Sequence, residues 1–163
     1  MDARTALLLR QLDRAFDGRG WHGPTLMGAL RGLDEAAASW RPAPEAHSRG
    51  PAPVNAWEYA VHAAYWTYRV LRHVAAEPPA RFDEPGSNFF ARPADGRTLA
   101  DDVARLRDWH QRLVAAVEAF DPERLGETAY DGYSFEDVIG GVAAHDAYHA
   151  GQIRLLRRLQ GDA

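Results

Sequence analysis

The stretch Gly140-Gly-Val-Ala-Ala-His145-Asp-Ala-Tyr-His149-Ala-Gly-Gln-Ile153 decides how the rest of this chain is read. On an α-helix, His145 and His149 lie about 40° apart around the axis and about 6 Å along it. At that offset one helix presents two imidazoles to a single metal ion. Phe135, Val138, Ile139 and Val142 before the pair, and Ile153, Leu156 and Leu159 after it, recur at helical three-and-four spacing. The two histidines fill the gap in that core-facing stripe. A buried polar ring without a partner costs on the order of a few kcal/mol, and no acid lies nearby on the same face. A metal ion satisfies both rings.

Composition narrows the chemistry. The chain has 163 residues, enough for one domain with a full core and no covalent staples. It contains no cysteine, which excludes thiol nucleophiles, disulfides and thiolate ligands, so a metal must be held by His, Asp or Glu. All 19 basic residues are arginine, which excludes Schiff-base chemistry on the protein. The formal charge is −4 with both signs interspersed, which gives no basic footprint for nucleic acid. No apolar run approaches the ~20 residues of a membrane span, and the N-terminus lacks a signal-peptide layout. A cytoplasmic protein with no membrane partner is expected.

Upstream of the histidine pair the chain reads as helices joined by Pro- and Gly-rich links, with no strand. Residues 3–17 carry Leu8, Leu9, Leu12, Ala15 and Phe16 on one face and end at Gly18 and Gly20. Trp21-His22-Gly23-Pro24 is a break before a short helix with Leu26, Met27 and Leu30, and His22 reads as a packing or capping residue. Residues 41–53 form a turn-rich link in which His47 is a solvated loop residue. Asn55 and Glu58 make a capping box that opens a largely buried helix to about residue 76. His62 and His73 point the same way from that helix, about 16 Å apart along it. Periodicity does not choose between them, although His73 in the last turn also suits the helix dipole.

Residues 77–97 contain Pro78-Pro79, Pro85-Gly86 and Pro93 and no periodic pattern, the signature of a lid or a crossover. Thr98 and Asp101 cap a helix with the stripe Val103, Leu106, His110, Leu113, Val117 and Phe120, which makes His110 a hydrogen-bonded core histidine. Residues 126–133 form a link, and Ser134 with Asp137 caps the final helix, residues 134–159. Four long amphipathic helices make an all-α four-helix bundle. The long link between the second and third lets those two run parallel, a bundle with a crossover.

Four segments together resemble one known family. They are Trp21-His-Gly-Pro-Thr-Leu26, Trp40-Arg-Pro-Ala-Pro44, His62 in its aromatic helix, and His145-Asp-Ala-Tyr-His149-Ala-Gly-Gln-Ile153. The chain resembles the DinB/YfiT-like superfamily over nearly its whole length. The resemblance implies a four-helix bundle with up-down-down-up connectivity. It also implies a divalent metal held by one histidine on the second helix and an H-x-x-x-H pair on the fourth, which here are His62, His145 and His149. It thus favours His62 over His73. Characterised members include bacillithiol-using S-transferases and mycothiol-dependent isomerases, and the family name implies no polymerase.

Three neutral imidazoles leave the ion its full charge and leave coordination positions open, able to acidify a water or take up a substrate thiolate. Zinc or nickel suits that nitrogen donor set. Their ring nitrogens are expected about 3–3.5 Å apart, as metal–nitrogen bonds of about 2.1 Å require. Glu58 and Asp146 are the carboxylates placed to orient ligating rings. Gln152 and Tyr148 are placed to line the same pocket, and Gly151 to allow close helix contact. The expected function is a metal-dependent transferase using a low-molecular-weight thiol, or a hydrolase, acting on a small molecule. The alternative is a non-catalytic metal-binding or ligand-sensing module. Trp66, Val70 and Val74 form a second apolar stripe, to be covered by a homodimer partner, by the link 77–97 or by the short helix after Pro24.

Overall fold

A computed structural model describes residues 1–43, 53–79 and 81–161. His47 lies outside the described residues. Among the described residues six α-helices run in chain order: α1 (Ala3–Phe16), α2 (Leu26–Leu30), α3 (Glu35–Ser39), α4 (Ala56–Val74), α5 (Leu99–Glu118) and α6 (Phe135–Leu159). Between α5 and α6 come a 3-10 turn, Pro122–Arg124, and two strands, β1 (Thr128–Tyr130) and β2 (Tyr133–Ser134).

Local chemistry sets the helix starts. Asp2 accepts from the amides of Arg4 and Thr5, Thr98 accepts from Asp101, and full capping boxes open α4 (Asn55 with Glu58) and α6 (Ser134 with Asp137). Each cap satisfies amides that the helix itself cannot, contributing about 1 kcal/mol.

The long helices α1, α4, α5 and α6 pack as an all-α bundle. The most extensive contacts are between α4 and α5, followed by α1 with α6 and α4 with α6. Leu12, Trp57, Val61, Leu106, Leu113, Val117, Ile139 and Ile153 are fully buried where they meet. Full burial of one large apolar side chain contributes roughly 1.5–3 kcal/mol, so the bundle has a core independent of any metal.

The helix numbering and one link need correction. Two five-residue helices, α2 and α3, precede the later long ones, so the helices expected as second and third are α4 and α5, and the core is made by α1, α4, α5 and α6. The link 126–133 is not strand-free. Thr128 pairs with Ser134 and Tyr130 with Tyr133 in an antiparallel hairpin. Its turn residues Asp131 and Gly132 have φ of 50° and 83°, the positive pair that a two-residue Asp-Gly turn requires.

The link from α4 to α5 is fastened rather than loose. Phe82 and Phe90 are buried against Tyr65, and Phe82 also meets Tyr68 and Trp109. Arg92 has a fully buried side chain whose Nε donates to Asp102 at 2.6 Å and whose Nη2 donates to Glu84 at 2.7 Å. The same Asp102 oxygen accepts from the Trp57 indole at 2.8 Å, and the other accepts from Arg105 at 2.6 Å. Asn55 donates to the Arg92 carbonyl at 2.9 Å, so the start of α4 also holds the link.

Candidate metal centre

His62 on α4 and His145 and His149 on α6 converge. The Nε2 of His145 lies 3.0 Å from that of His62 and 2.9 Å from that of His149. These separations are slightly inside the ~3–3.5 Å that three nitrogens on one ion at ~2.1 Å adopt. His62 and His149 are buried and His145 is nearly so.

The opposite ring nitrogens fix the tautomers. His62 Nδ1 donates to the Asn88 carbonyl at 2.7 Å. His149 Nδ1 donates to Gln152 Oε1 at 2.5 Å. With Nδ1 protonated in both, each Nε2 carries a lone pair aimed at the Nε2 of His145. A proton on His145 Nε2 answers one of those lone pairs and leaves the other facing it unanswered. One cation among the three answers all of them. The donor set therefore fits a divalent ion.

Electrostatics agrees. Burial first, then the neighbouring imidazoles of His149 and His62, push His145 down to about 3. Burial pushes His149 down to about 4 and lowers His62. All three rings are neutral at pH 7, which is the ligating form.

The link between α4 and α5 closes one side. Phe89 stacks on His62 with centroids 4.0 Å apart and planes at 7°. Asn88 adopts φ 67°, which turns its carbonyl onto His62 while its side-chain oxygen accepts from the Trp66 indole at 3.0 Å. Asn is one of the few side chains that tolerates this left-handed conformation. Tyr59, one turn before His62, places its ring 4.9 Å from His149. Asn88 and Phe89 stood in the sequence only as part of a patternless link, and Tyr59 gave no signal beyond its i−3 spacing from His62.

The other expected residues lie as follows. Glu58 accepts from the amides of Asn55 and Arg92, both at 3.1 Å, and from Arg41 at 2.5 Å, so its carboxylate serves the cap and the link, and a backbone carbonyl orients His62 instead. Asp146 is fully buried, among the described residues neither of its oxygens nor Nδ1 of His145 has a hydrogen-bond partner, and burial pushes its carboxyl up to about 8. Tyr148 is exposed beside His149. Gly151 faces open space rather than another helix.

Among the remaining histidines, His73 meets Tyr130 at the hairpin and His22 is exposed. His110 corrects the expectation of a hydrogen-bonded core ring. Among the described residues its Nδ1 has no partner, and the ring lies flat on Phe16 at 3.6 Å.

Residues 5–153 match the family model described as the DinB superfamily. The chain belongs to that superfamily. No curated protein and no solved structure matches it. Within this DinB-superfamily bundle, the three-histidine cluster is formed by α4 and α6, with the α4–α5 link closing over His62.

Proposed function

We propose that this DinB-superfamily chain is a divalent-metal-dependent enzyme acting on a small molecule, by transfer to or from a low-molecular-weight thiol or by hydrolysis. One observation carries the reading: three neutral imidazoles converge through Nε2 while partners fix the tautomers of two of them. His62, His145 and His149 are the ligands in this reading, and zinc or nickel is the ion. A divalent ion held by three neutral imidazoles keeps its charge and supplies Lewis acidity at an open coordination position.

The chain's own residues do the rest. The Asn88 carbonyl and Gln152 hold His62 and His149 in the ligating tautomer. Phe89 shields His62 from water. Tyr59, whose hydroxyl burial raises above its ordinary range, stays a neutral hydrogen-bond donor beside the site. The contact pairs Trp57–Asp102 and Tyr68–Trp109 between α4 and α5 support an up-down-down-up path through α1, α4, α5 and α6. The acidic, cysteine-free chain suits a cytoplasmic setting. Among the described residues no helix is long and apolar enough to cross a membrane.

Assembly is part of the same reading, as a two-fold dimer. Trp66 and Val70 are half-buried and line a cavity, and Val74 is buried, so this stripe presents little fully exposed apolar surface. Exposed Tyr148, Leu155 and Leu159 on α6 now support the dimer. Light scattering giving the mass of one 18.1 kDa chain at high concentration would exclude it.

The test of the metal function is a chelator competition on untagged protein. One zinc or nickel ion per chain is expected, lost in His149→Ala while the helical signal is kept. A cobalt-loaded sample should develop a sulfur-to-metal absorption band when a small thiol is added. Absence of stoichiometric metal removes the proposal. Unfolding on chelation favours a structural ion instead.

A further inference from the structure

A cavity of about 420 Å³ runs from His145 between α4, α6 and the β1–β2 hairpin. That volume lies in the range of small-molecule sites, about 300–1,000 Å³. Its walls are apolar: Trp66 and Val70 from α4, Val138 and Val142 from α6. Gly141 also lines it, and a Cβ built there meets nothing within 4 Å, so the space above it is open.

Arg69 stands away from His145. It is seven residues beyond His62, about 10.5 Å along α4. Its guanidinium lies 5.9 Å from the Tyr65 and Trp66 rings and 5.5 Å from the Tyr130 ring. Nη1 donates to the Tyr65 hydroxyl at 3.1 Å, and among the described residues no carboxylate forms an ion pair with Arg69. Two acids also line the cavity. Asp137 is engaged by the amide and hydroxyl of Ser134 in the α6 cap, and Asp131 is exposed at the hairpin turn. Besides burial, the charges that lower His73 are those of Arg69 and Arg72.

We propose that this cavity takes an amphipathic monoanion, with an apolar body between Trp66, Val70, Val138 and Val142, its anionic end on Arg69 and its other end at His145. The guanidinium is held by rings and by the hydroxyls of Tyr65 and Tyr130, which leaves its charge for a ligand carboxylate or sulfonate. This assigns the substrate class of the proposed enzyme and rests on that reading only for what happens at His145.

The test uses metal-free and zinc-loaded protein, with 4-phenylbutyrate and its neutral analogue 4-phenylbutanol as probes in calorimetry. In metal-free protein the carboxylate should bind at least tenfold more tightly than the alcohol. Arg69→Gln should remove that preference and leave the alcohol's affinity unchanged. Gly141→Leu, which places a side chain in the open space, should abolish binding of both probes while zinc uptake stays at the wild-type level. Equal binding of the two probes by wild-type protein, or an undiminished preference in Arg69→Gln, overturns the proposal. If Arg69→Gln does not fold, the wild-type comparison and Gly141→Leu decide it. Failure of zinc uptake with the carboxylate preference intact sinks the metal reading and leaves the cavity assignment standing.

Discussion

The imidazole of His62 is held at 2.7 Å by the backbone carbonyl of Asn88, a residue 26 positions later in a left-handed conformation with φ 67°. The lone pair that His62 offers its neighbours therefore depends on a strained turn in the link between α4 and α5. Asn88→Ala keeps the carbonyl but resists the conformation that aims it, and should weaken metal affinity about 5–30-fold. Ala resists positive φ by roughly 1–2 kcal/mol, whereas Gly adopts it freely. Asn88→Gly should stay near wild type although it also loses the Trp66 bond. Chelator competition on both variants checks this, and equal losses would contradict it.

His110 makes the fold acid-sensitive. Burial pushes it down to about 4, against an ordinary value of 6.5. As pH falls from 6.5 toward 4 the unfolded chain takes up a proton that the folded chain refuses, so stability falls. The loss from this one ring is about 3 kcal/mol. His110→Phe, which preserves the stack on Phe16, should lose about that much less over the same window in urea melts of metal-free protein.

Asp146 has the opposite slope. Its carboxyl is raised from 3.8 to about 8, so the folded state holds a proton that the unfolded state gives up between those values. Stability should therefore fall as pH rises from about 4 to about 8. Asp146→Asn in metal-free protein should gain on the order of a few kcal/mol at pH 8 and nothing at pH 4. A gain of equal size at both pH values would show that charge burial is not its cause.

Arg92→Met removes the shared partner of Asp102 and Glu84. Asp102 keeps its bonds from Trp57 and Arg105, and Glu84 keeps Arg105, so the cost should fall below the roughly 3–5 kcal/mol of leaving a buried charge with no partner. The same change should weaken metal binding, because Arg92 anchors the link that carries Asn88 and Phe89. Denaturant melts and chelator competition measure the two effects. A destabilised protein with unchanged metal affinity would mean that the link keeps its place without the anchor.

Much of this was legible in residues with fixed spacing. Caps at Asn55, Thr98 and Ser134 marked helix starts because their chemistry is local. His145 and His149 were visible as a pair because one helix repeat sets their geometry. His62 was not separable from His73 by periodicity, since both share a face and only the packing of α4 on α6 chooses between them. The Asp131-Gly132 turn was readable in principle, yet strands of three and two residues are too short to show alternation. Asn88 and Phe89 were visible only as members of a possible lid, because their contacts with His62 exist only once buried Arg92 and Phe90 have seated the link.

Two members of the histidine cluster lie on α6, and the third is 83 positions before His145. Such separation makes the centre one of the last things this chain can complete, since distant contacts form only after the intervening segments are ordered. During synthesis His62 emerges long before either partner on α6, and a lone imidazole has little hold on an ion. An ion taken up at this cluster would then report finished folding, because a truncated or stalled chain lacking α6 would carry only one of the three imidazoles.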